Sequence, residues 1–298
     1  MERALVRVRV GGAFFFLVIL LFTLIPNRAA SLLSYYVWEK YHINIGIVLN
    51  RYDVKYFKLL GNYYFANTHD DFDIEKSFRA YKKVSSLDPG DFLATYNLSR
   101  IYFSNGNLDE ALVYIEKAIK LNPENKRPFY IKGLIETYKK DFKAAEKSFQ
   151  RFIEWAPTEW AGYNDLAWVY LQDKKFIEAK KTTEEGIEKA SKENILLHNN
   201  LGVANLHLGN YQLALREFLY VKEGYYTMPI KEWFDAFPGN SPEQVRIVSS
   251  EFEGLIYVNL YQTYKYLEMN EEADSALEKA QEIVPLYSSL RGLIDNTH

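Results

Sequence analysis

The chain has 298 residues, of which 48% are hydrophobic and 25% charged, a composition typical of a globular protein. Its formal net charge of −3 argues against a nucleic-acid partner, because phosphate binding requires clustered Lys and Arg residues. No cysteine is present, which excludes disulfides, thiolate catalysis and cysteine-ligated zinc.

The N-terminal residues have the pattern of a membrane anchor. Arg3, Arg7 and Arg9 lie in a basic segment, residues 1–9, which precedes an uncharged apolar run that ends at Pro26. A helix over this run would span about 24 Å, and flanking side chains can extend it toward the roughly 30 Å of a bilayer core. Residues 10–26 are therefore predicted to form an uncleaved transmembrane signal anchor. A cleaved signal peptide and a buried soluble helix remain the alternatives.

The distribution of positive charge predicts the orientation of this anchor. Three arginines precede the apolar run, whereas Arg28 and then Lys40 are the first cations after it. Because Lys and Arg concentrate on the cytoplasmic side of a span, we expect a cytoplasmic N-terminus. The rest of the chain would then lie on the extracytoplasmic side of a single-pass membrane protein.

A 34-residue repeat dominates the remainder of the chain. Pro89, Pro123 and Pro157 are spaced 34 residues apart, and Pro285 ends a further unit of the same kind. The predicted division is a juxtamembrane helical connector at 27–53, five repeat units at 54–222, an inserted aromatic loop at 223–249, a sixth unit at 250–287 and a tail at 288–298.

The units share small and aromatic residues at fixed positions. Leu60-Gly61 with Tyr64, and Leu201-Gly202, are two examples from the start of a unit. The pattern resembles the tetratricopeptide repeat, which has W-x2-L-G-x2-Y, A-x3-F and a closing proline in two antiparallel helices. Glu136 departs from it, because a tyrosine is usual there. The resemblance implies an all-α, right-handed superhelical solenoid of about six helix pairs, preceded here by the single hydrophobic helix. We expect the glycine of each first helix to let an alanine of the second helix pack closely.

The sequence offers no catalytic constellation. Its five histidines are scattered without metal-ligand spacing, and His198 is interpreted as a packed structural residue. The acidic cluster of Asp70, Asp71 and Asp73 lacks the pattern of a calcium loop and is interpreted as a helix N-cap. No phosphate loop or nucleophile elbow is present. We therefore expect a non-enzymatic protein with no metal and no small-molecule cofactor.

The first helix of each repeat is expected to line a concave groove, and residues three or four apart on it share a face. This spacing selects the candidate partner-binding residues Tyr96, Asn97, Arg100, Phe103, Arg127, Tyr130, Asn164, Asp165, Trp168, Asn199, Asn200, Asn259 and Gln262.

One structural position in the groove holds an amide or an acid in four units, as Asn97, Asp165, Asn200 and Asn259. A carboxamide can both donate and accept a hydrogen bond, so such a ladder could hold the backbone of an extended peptide. The resemblance implies the same use, although asparagine is also common at this position for structural reasons.

The resemblance also raises a carboxylate clamp as an alternative. In that case Lys58, Asn62, Asn97 and Arg127 would hold a peptide C-terminus. Ile131 occupies the position of the closing arginine, which argues against this alternative.

The inserted loop combines turn-forming residues with Trp233, Phe234 and Phe237, which are too apolar to lie in water without a cause. The preferred interpretation is that these rings pack between the fifth and sixth units. The alternative is that they form a lid over the groove.

Together these features predict a membrane-tethered scaffold that binds proteins or extended peptide segments, with a role in assembling cell-envelope complexes. The alternative is a glycan-binding or glycan-processing accessory protein of the envelope, which the aromatic residues Trp168 and Trp233 would suit.

Overall fold

A computed structural model describes residues 52–66, 71–228, 233 and 241–283, which form twelve α-helices and no strand. The helices are α1 (Val54–Phe65), α2 (Ile74–Leu87), α3 (Phe92–Ser104), α4 (Leu108–Leu121), α5 (Arg127–Tyr138), α6 (Phe142–Trp155), α7 (Trp160–Gln172), α8 (Phe176–Lys189), α9 (Ile195–His207), α10 (Tyr211–Thr227), α11 (Pro242–Tyr266) and α12 (Asn270–Ile283).

The helices pack in six consecutive pairs, as the repeat predicted. Each odd-numbered helix contacts the even-numbered helix that follows it, and each pair contacts the next. From α3 onward, the first helix of each pair also touches the first helix of the next pair. The first helices therefore lie side by side and form the inner layer of the array, with the second helices outside them.

Side-chain caps fix where several helices begin. Asp91 accepts a hydrogen bond from the backbone N–H of Ala94 at the start of α3, and Asp141 does the same for Ala144 at the start of α6. Asp73 accepts from the N–H of Lys76, which confirms the capping role predicted for it, whereas Asp70 lies outside the described residues. Such caps satisfy N–H groups that have no partner within the helix.

Glycines of the first helices allow a close approach within a pair. A Cβ atom added to Gly133 in α5 would lie 2.8 Å from the ring of Phe149 in α6, and one added to Gly202 in α9 would lie 2.5 Å from Phe218 in α10. The glycine therefore makes room for an aromatic ring of the second helix. A ring covers more apolar surface than a methyl group, which explains why the repeat places one there.

The predicted inserted loop, residues 223–249, is mostly helical at both ends. Helix α10 continues to Thr227, and α11 begins at Pro242 behind a capping box of Ser241 and Gln244, so the predicted boundaries were wrong. Packing supports both extensions, because Val245 in α11 is buried and the ring of Tyr225 in α10 packs against the same core cluster. Burial of these side chains stabilises the helices beyond the limits that the 34-residue spacing suggests.

Trp233 lies between these two helices and is 2% exposed. Its ring contacts Tyr225 at 5.9 Å and Phe252 at 5.5 Å, measured between ring centroids. This placement favours the packing interpretation for Trp233, while Phe234 and Phe237 lie outside the described residues.

The predicted anchor, residues 10–26, and the connector also lie outside the described residues. Within the described ranges, no helix combines the length and apolar character that a membrane crossing requires.

Candidate functional site

A cavity of about 380 Å³ opens on the inner face of the array, and we call it the central cavity. All of the described residues that line it belong to first helices, namely α3, α5, α7, α9 and α11. Eight of the predicted groove residues are among them: Arg100, Phe103, Tyr130, Asn164, Asp165, Trp168, Asn199 and Asn200. The helical spacing thus placed these side chains on a common inner surface that spans units two to five.

A second cavity, of about 410 Å³, adjoins the first toward α3 and α5. Tyr96 and Arg127, two further predicted residues, line this adjoining cavity. Arg100, Tyr130 and Trp160 line both cavities, so the two form one continuous groove.

The predicted asparagine ladder was expected to hold the backbone of a bound peptide. In the structure its amides form hydrogen bonds with other residues of the protein. Asn97 is 4% exposed, and its Nδ2 donates to the Tyr81 hydroxyl at 2.8 Å. Asn200 donates to the side chain and the backbone carbonyl of Asn164, both at 3.0 Å. These amides therefore join one helix to another within the array.

The last residue of the ladder, Asn259, bonds to Asn199, a predicted groove residue that is not part of the ladder. Asn259 in α11 donates to Oδ1 of Asn199 in α9 at 3.2 Å, and each of the two residues is 6% exposed. Asn259 and Gln262 line neither cavity. This hydrogen bond between the two amides links units five and six.

Arg100 is the principal cation of the groove. Its guanidinium lies over the ring of Phe65 at 4.5 Å and donates to Oδ1 of Asn97 at 3.2 Å. Burial lowers the pKa of Arg100, and the nearby charge of Arg127 acts in the same direction. Among the described residues, no carboxylate forms an ion pair with either arginine.

Among the described residues that line the central cavity, Asp165 is the only acid. Its carboxylate accepts hydrogen bonds from Nδ2 of Asn164 at 2.9 Å and from the Tyr130 hydroxyl. Burial raises the pKa of Asp165 to about 6, because these two donors offset only part of the cost of desolvating the charge. No described cation forms an ion pair with Asp165.

Aromatic rings surround these charges. Tyr138 contacts Phe103 at 5.3 Å and Trp168 at 5.9 Å between ring centroids, and all three residues line the central cavity. Phe252 of α11 closes the cavity on the side of unit six and rests on Trp233. Trp233 of the insert therefore contacts the lining of the groove through Phe252.

Three aromatic residues of the lining were not predicted from the sequence: Tyr138, Trp160 and Phe252. Tyr138 and Trp160 could have been found from helical spacing, because Tyr138 lies two turns after Tyr130 and Trp160 one turn before Asn164. Phe252 could not, since its role depends on the unexpected start of α11 ten residues before it.

The residues of the carboxylate-clamp alternative are engaged elsewhere. Lys58 forms an ion pair with Asp91 at 2.7 Å, and Oδ1 of Asn62 accepts a hydrogen bond from the Tyr81 hydroxyl at 2.6 Å. Only Arg127 of this set faces a cavity. The geometry therefore favours the central cavity over a clamp.

His198 lies outside both cavities. Its ring nitrogens contact Oε2 of Glu217 at 2.7 Å and the carbonyl oxygen of Lys192 at 2.9 Å, as expected for a packed structural histidine. Within the described ranges, no group of three or more His, Asp or Glu residues could hold a metal ion.

Comparisons with known proteins agree with this architecture. Residues 92–125 and 127–159, which contain α3–α4 and α5–α6, each match a model described as "Tetratricopeptide repeat". The array is similar to the solved structure of PilW, titled a widely conserved type IV pilus biogenesis factor. The TM-score is 0.62 and the identity 12%, over 81% of this chain and 98% of that one. The chain therefore contains tetratricopeptide repeats in an all-helical solenoid.

Two curated proteins share the repeat region. One is the human protein O-mannosyl-transferase TMTC3, 27% identical over 113 residues, which are 38% of this chain and 12% of that protein. The other is the anaphase-promoting complex subunit CDC16 of Saccharomyces cerevisiae, 24% identical over 156 residues, which are 50% of this chain and 19% of that protein. The chain spans less than a fifth of either relative, and the similarity concerns the helical repeats.

Proposed function

We propose that this protein is a membrane-tethered scaffold that binds extended segments of partner proteins in the groove of units two to five. The observation that carries the proposal is the central cavity, which is lined by the first helices of consecutive repeats. A concave apolar surface with a few directed polar groups is the usual form of a binding site. Aromatic and amide groups predominate in its lining, which suits binding better than catalysis, and we propose no enzymatic activity for the repeats.

The tether is proposed from the N-terminal sequence. The basic segment at residues 1–9 and the apolar run at residues 10–26 support a signal anchor with a cytoplasmic N-terminus. The repeats would then meet their partners on the extracytoplasmic side of the membrane.

A role in assembling cell-envelope complexes follows from this location together with a binding groove. PilW, whose fold is similar, is titled a pilus biogenesis factor, and CDC16 is named as a subunit of a complex. Both names describe assembly with other proteins, and we extend that role to this chain as part of the proposal.

Glycan binding is the second candidate. Trp160 and Trp168 line the central cavity beside Asn164 and Asp165, a combination of rings and polar groups that also suits a saccharide. The two candidates differ in the chemical nature of the bound material, so a single experiment can separate them.

Site-specific photocrosslinking on the full chain in its native membranes provides that experiment. A photoreactive phenylalanine analogue replaces Tyr138, which is 59% exposed at the cavity, and in a matched control replaces Val113, which is 66% exposed on the second helix α4. The proposal predicts protein adducts from position 138 and none of the same adducts from position 113. Saccharide adducts at position 138 would favour the glycan alternative. Equal adducts at the two positions, or none at position 138, would contradict binding in the groove.

A further inference from the structure

We infer that the groove selects partner segments that carry a carboxylate and a cation together, with the carboxylate bound by Arg100 and the cation by Asp165. The inference rests on the proposed function and specifies the chemistry of its ligand. Both groups line the central cavity, and neither is paired with an opposite charge among the described residues.

Three contacts within the protein hold the side chain of Arg100 in place. Phe65 lies under its guanidinium at 4.5 Å, Tyr96 lies at 5.7 Å, and Asn97 accepts one of its hydrogen bonds. A guanidinium has five N–H donors in a planar fork that matches a carboxylate. Arg127 adds a second positive charge to the adjoining cavity, which makes this end of the groove favourable for an acidic group.

Asp165, in α7, supplies the negative charge that would bind the cation of the ligand. Tyr130 and Asn164 hold its carboxylate by two hydrogen bonds, which orient it without neutralising it. Tyr138, Trp160 and Trp168 line the same cavity. Aromatic faces attract cations, so a Lys or Arg side chain placed here gains both the carboxylate and the rings.

The two charges do not satisfy each other. Arg100 and Asp165 form no ion pair, and neither charge contributes to the pKa shift of the other. They lie on α3 and α7, with α5 between them, so they belong to units two and four. A ligand that satisfies both must therefore cross unit three.

The helix spacing limits the distance between the two charges of the ligand. Neighbouring packed helices have axes about 8–10 Å apart, so α3 and α7 are separated by roughly 16–20 Å. An extended chain advances about 3.3 Å per residue. We expect the acidic and basic residues of the partner to be at most about six positions apart, because side chains on both molecules shorten the gap.

Selection from a phage-displayed library of random dodecapeptides, on the full chain in detergent micelles, tests the inference. We expect the wild type to enrich peptides with an acidic and a basic residue within six positions. Asp165→Asn should lose the preference for the basic residue and keep the acidic one. Arg100→Gln should lose the preference for the acidic residue and keep the basic one. Arg100→Lys, which keeps the charge, should weaken the preference for the acidic residue without abolishing it. Glu110→Gln and Lys143→Gln, at exposed positions on second helices, are the matched controls and should select like the wild type.

A double-mutant cycle with the most strongly enriched peptide then measures the coupling between its basic residue and Asp165. Replacing its basic residue by Gln should weaken binding to the wild type at least tenfold and leave binding to Asp165→Asn unchanged. Circular dichroism and the thermal midpoint verify that each variant is folded. Enriched peptides without the charge pair, or equal losses on wild type and Asp165→Asn, would overturn the inference while leaving the groove as a binding site. Failure to enrich any peptide would count against the proposed function as well.

Discussion

The two ends of the same inner face use their polar residues in opposite ways. Toward units five and six, Asn259 donates to Asn199, so the two amides satisfy each other. In units two to four, Arg100 and Asp165 face an open cavity and have no counter-charge among the described residues. A residue on the inner face is therefore not necessarily a ligand contact, because residues of the same face can also hold the repeats together.

The chemistry of the groups explains the difference. An amide can pair with another amide on the neighbouring first helix, because each supplies both a donor and an acceptor. Arg100 and Asp165 lie on helices that are not neighbours, and they form no ion pair with each other. The cost of leaving them unpaired is offset when a ligand supplies the missing charges.

The largest effect is expected where the insert supports the C-terminal end. Trp233 is 2% exposed and packs on Phe252, so Trp233→Ala should lower the free energy of unfolding by about 3–5 kcal/mol. Urea denaturation measures this change. Ile177→Ala, at a position that is 71% exposed, is the control and should change stability by less than about 0.5 kcal/mol. A Trp233 variant that unfolds at the wild-type urea concentration would refute the packing role.

A smaller effect, of the opposite sign, is expected for the unpaired acid. Because burial raises the pKa of Asp165 to about 6, ionisation of this group costs the folded state stability as the pH rises from about 4 to above 6. Asp165→Asn should therefore stabilise the free protein by about 1–3 kcal/mol at pH 7.5 and by much less at pH 4. The thermal midpoint at both pH values measures the change. Destabilisation at pH 7.5 would mean that Asp165 already has a counter-charge in the free protein.

The smallest effect is expected at the amide pair. Asn259→Ala removes a buried hydrogen bond and leaves the Asn199 amide without its partner, which should cost about 1–2 kcal/mol of stability. Peptide affinity should stay within twofold of the wild type, because Asn259 lines neither cavity. Titration calorimetry with a selected peptide measures the affinity. A tenfold loss of affinity at wild-type stability would restore the asparagine ladder as the ligand site.

The repeat pattern predicted most of the fold and the composition of the groove. The prolines spaced 34 residues apart and the small residues of the first helices predicted six helix pairs, and the helical stripe predicted that Arg100, Tyr130 and Asp165 face a common surface. Local spacing suffices for this, because a helix places every third or fourth residue on one face.

The partners of these residues could not be predicted in the same way. An asparagine on the stripe has the same spacing whether its amide bonds a ligand or the next helix. The extent of the insert was misjudged because Pro229, Pro238 and Gly239 favour a loop. The packing of Tyr225 and Val245, which is set by the tertiary structure, instead extends the flanking helices.

The pH dependence of peptide affinity is the sharpest test of whether Asp165 binds the basic residue of the ligand. The titratable and charged groups nearest Asp165 are Tyr130 and Tyr138, with Arg100 on the same cavity. Both tyrosines have raised pKa values, so only Asp165 among these groups titrates between pH 5 and 8. Protonation would remove the charge that binds the basic residue of the ligand.

Affinity of the full chain for a selected peptide should therefore be measured at pH 5, 6, 7 and 8, for the wild type and for Asp165→Asn. With a pKa of about 6, the wild type should bind about tenfold more weakly at pH 5 than at pH 8, because about a tenth of Asp165 is ionised at pH 5. The Asp165→Asn variant should bind more weakly than the wild type at pH 8 and show a flat profile. The same slope in both proteins would contradict the assignment of Asp165 as the group that binds the basic residue of the ligand.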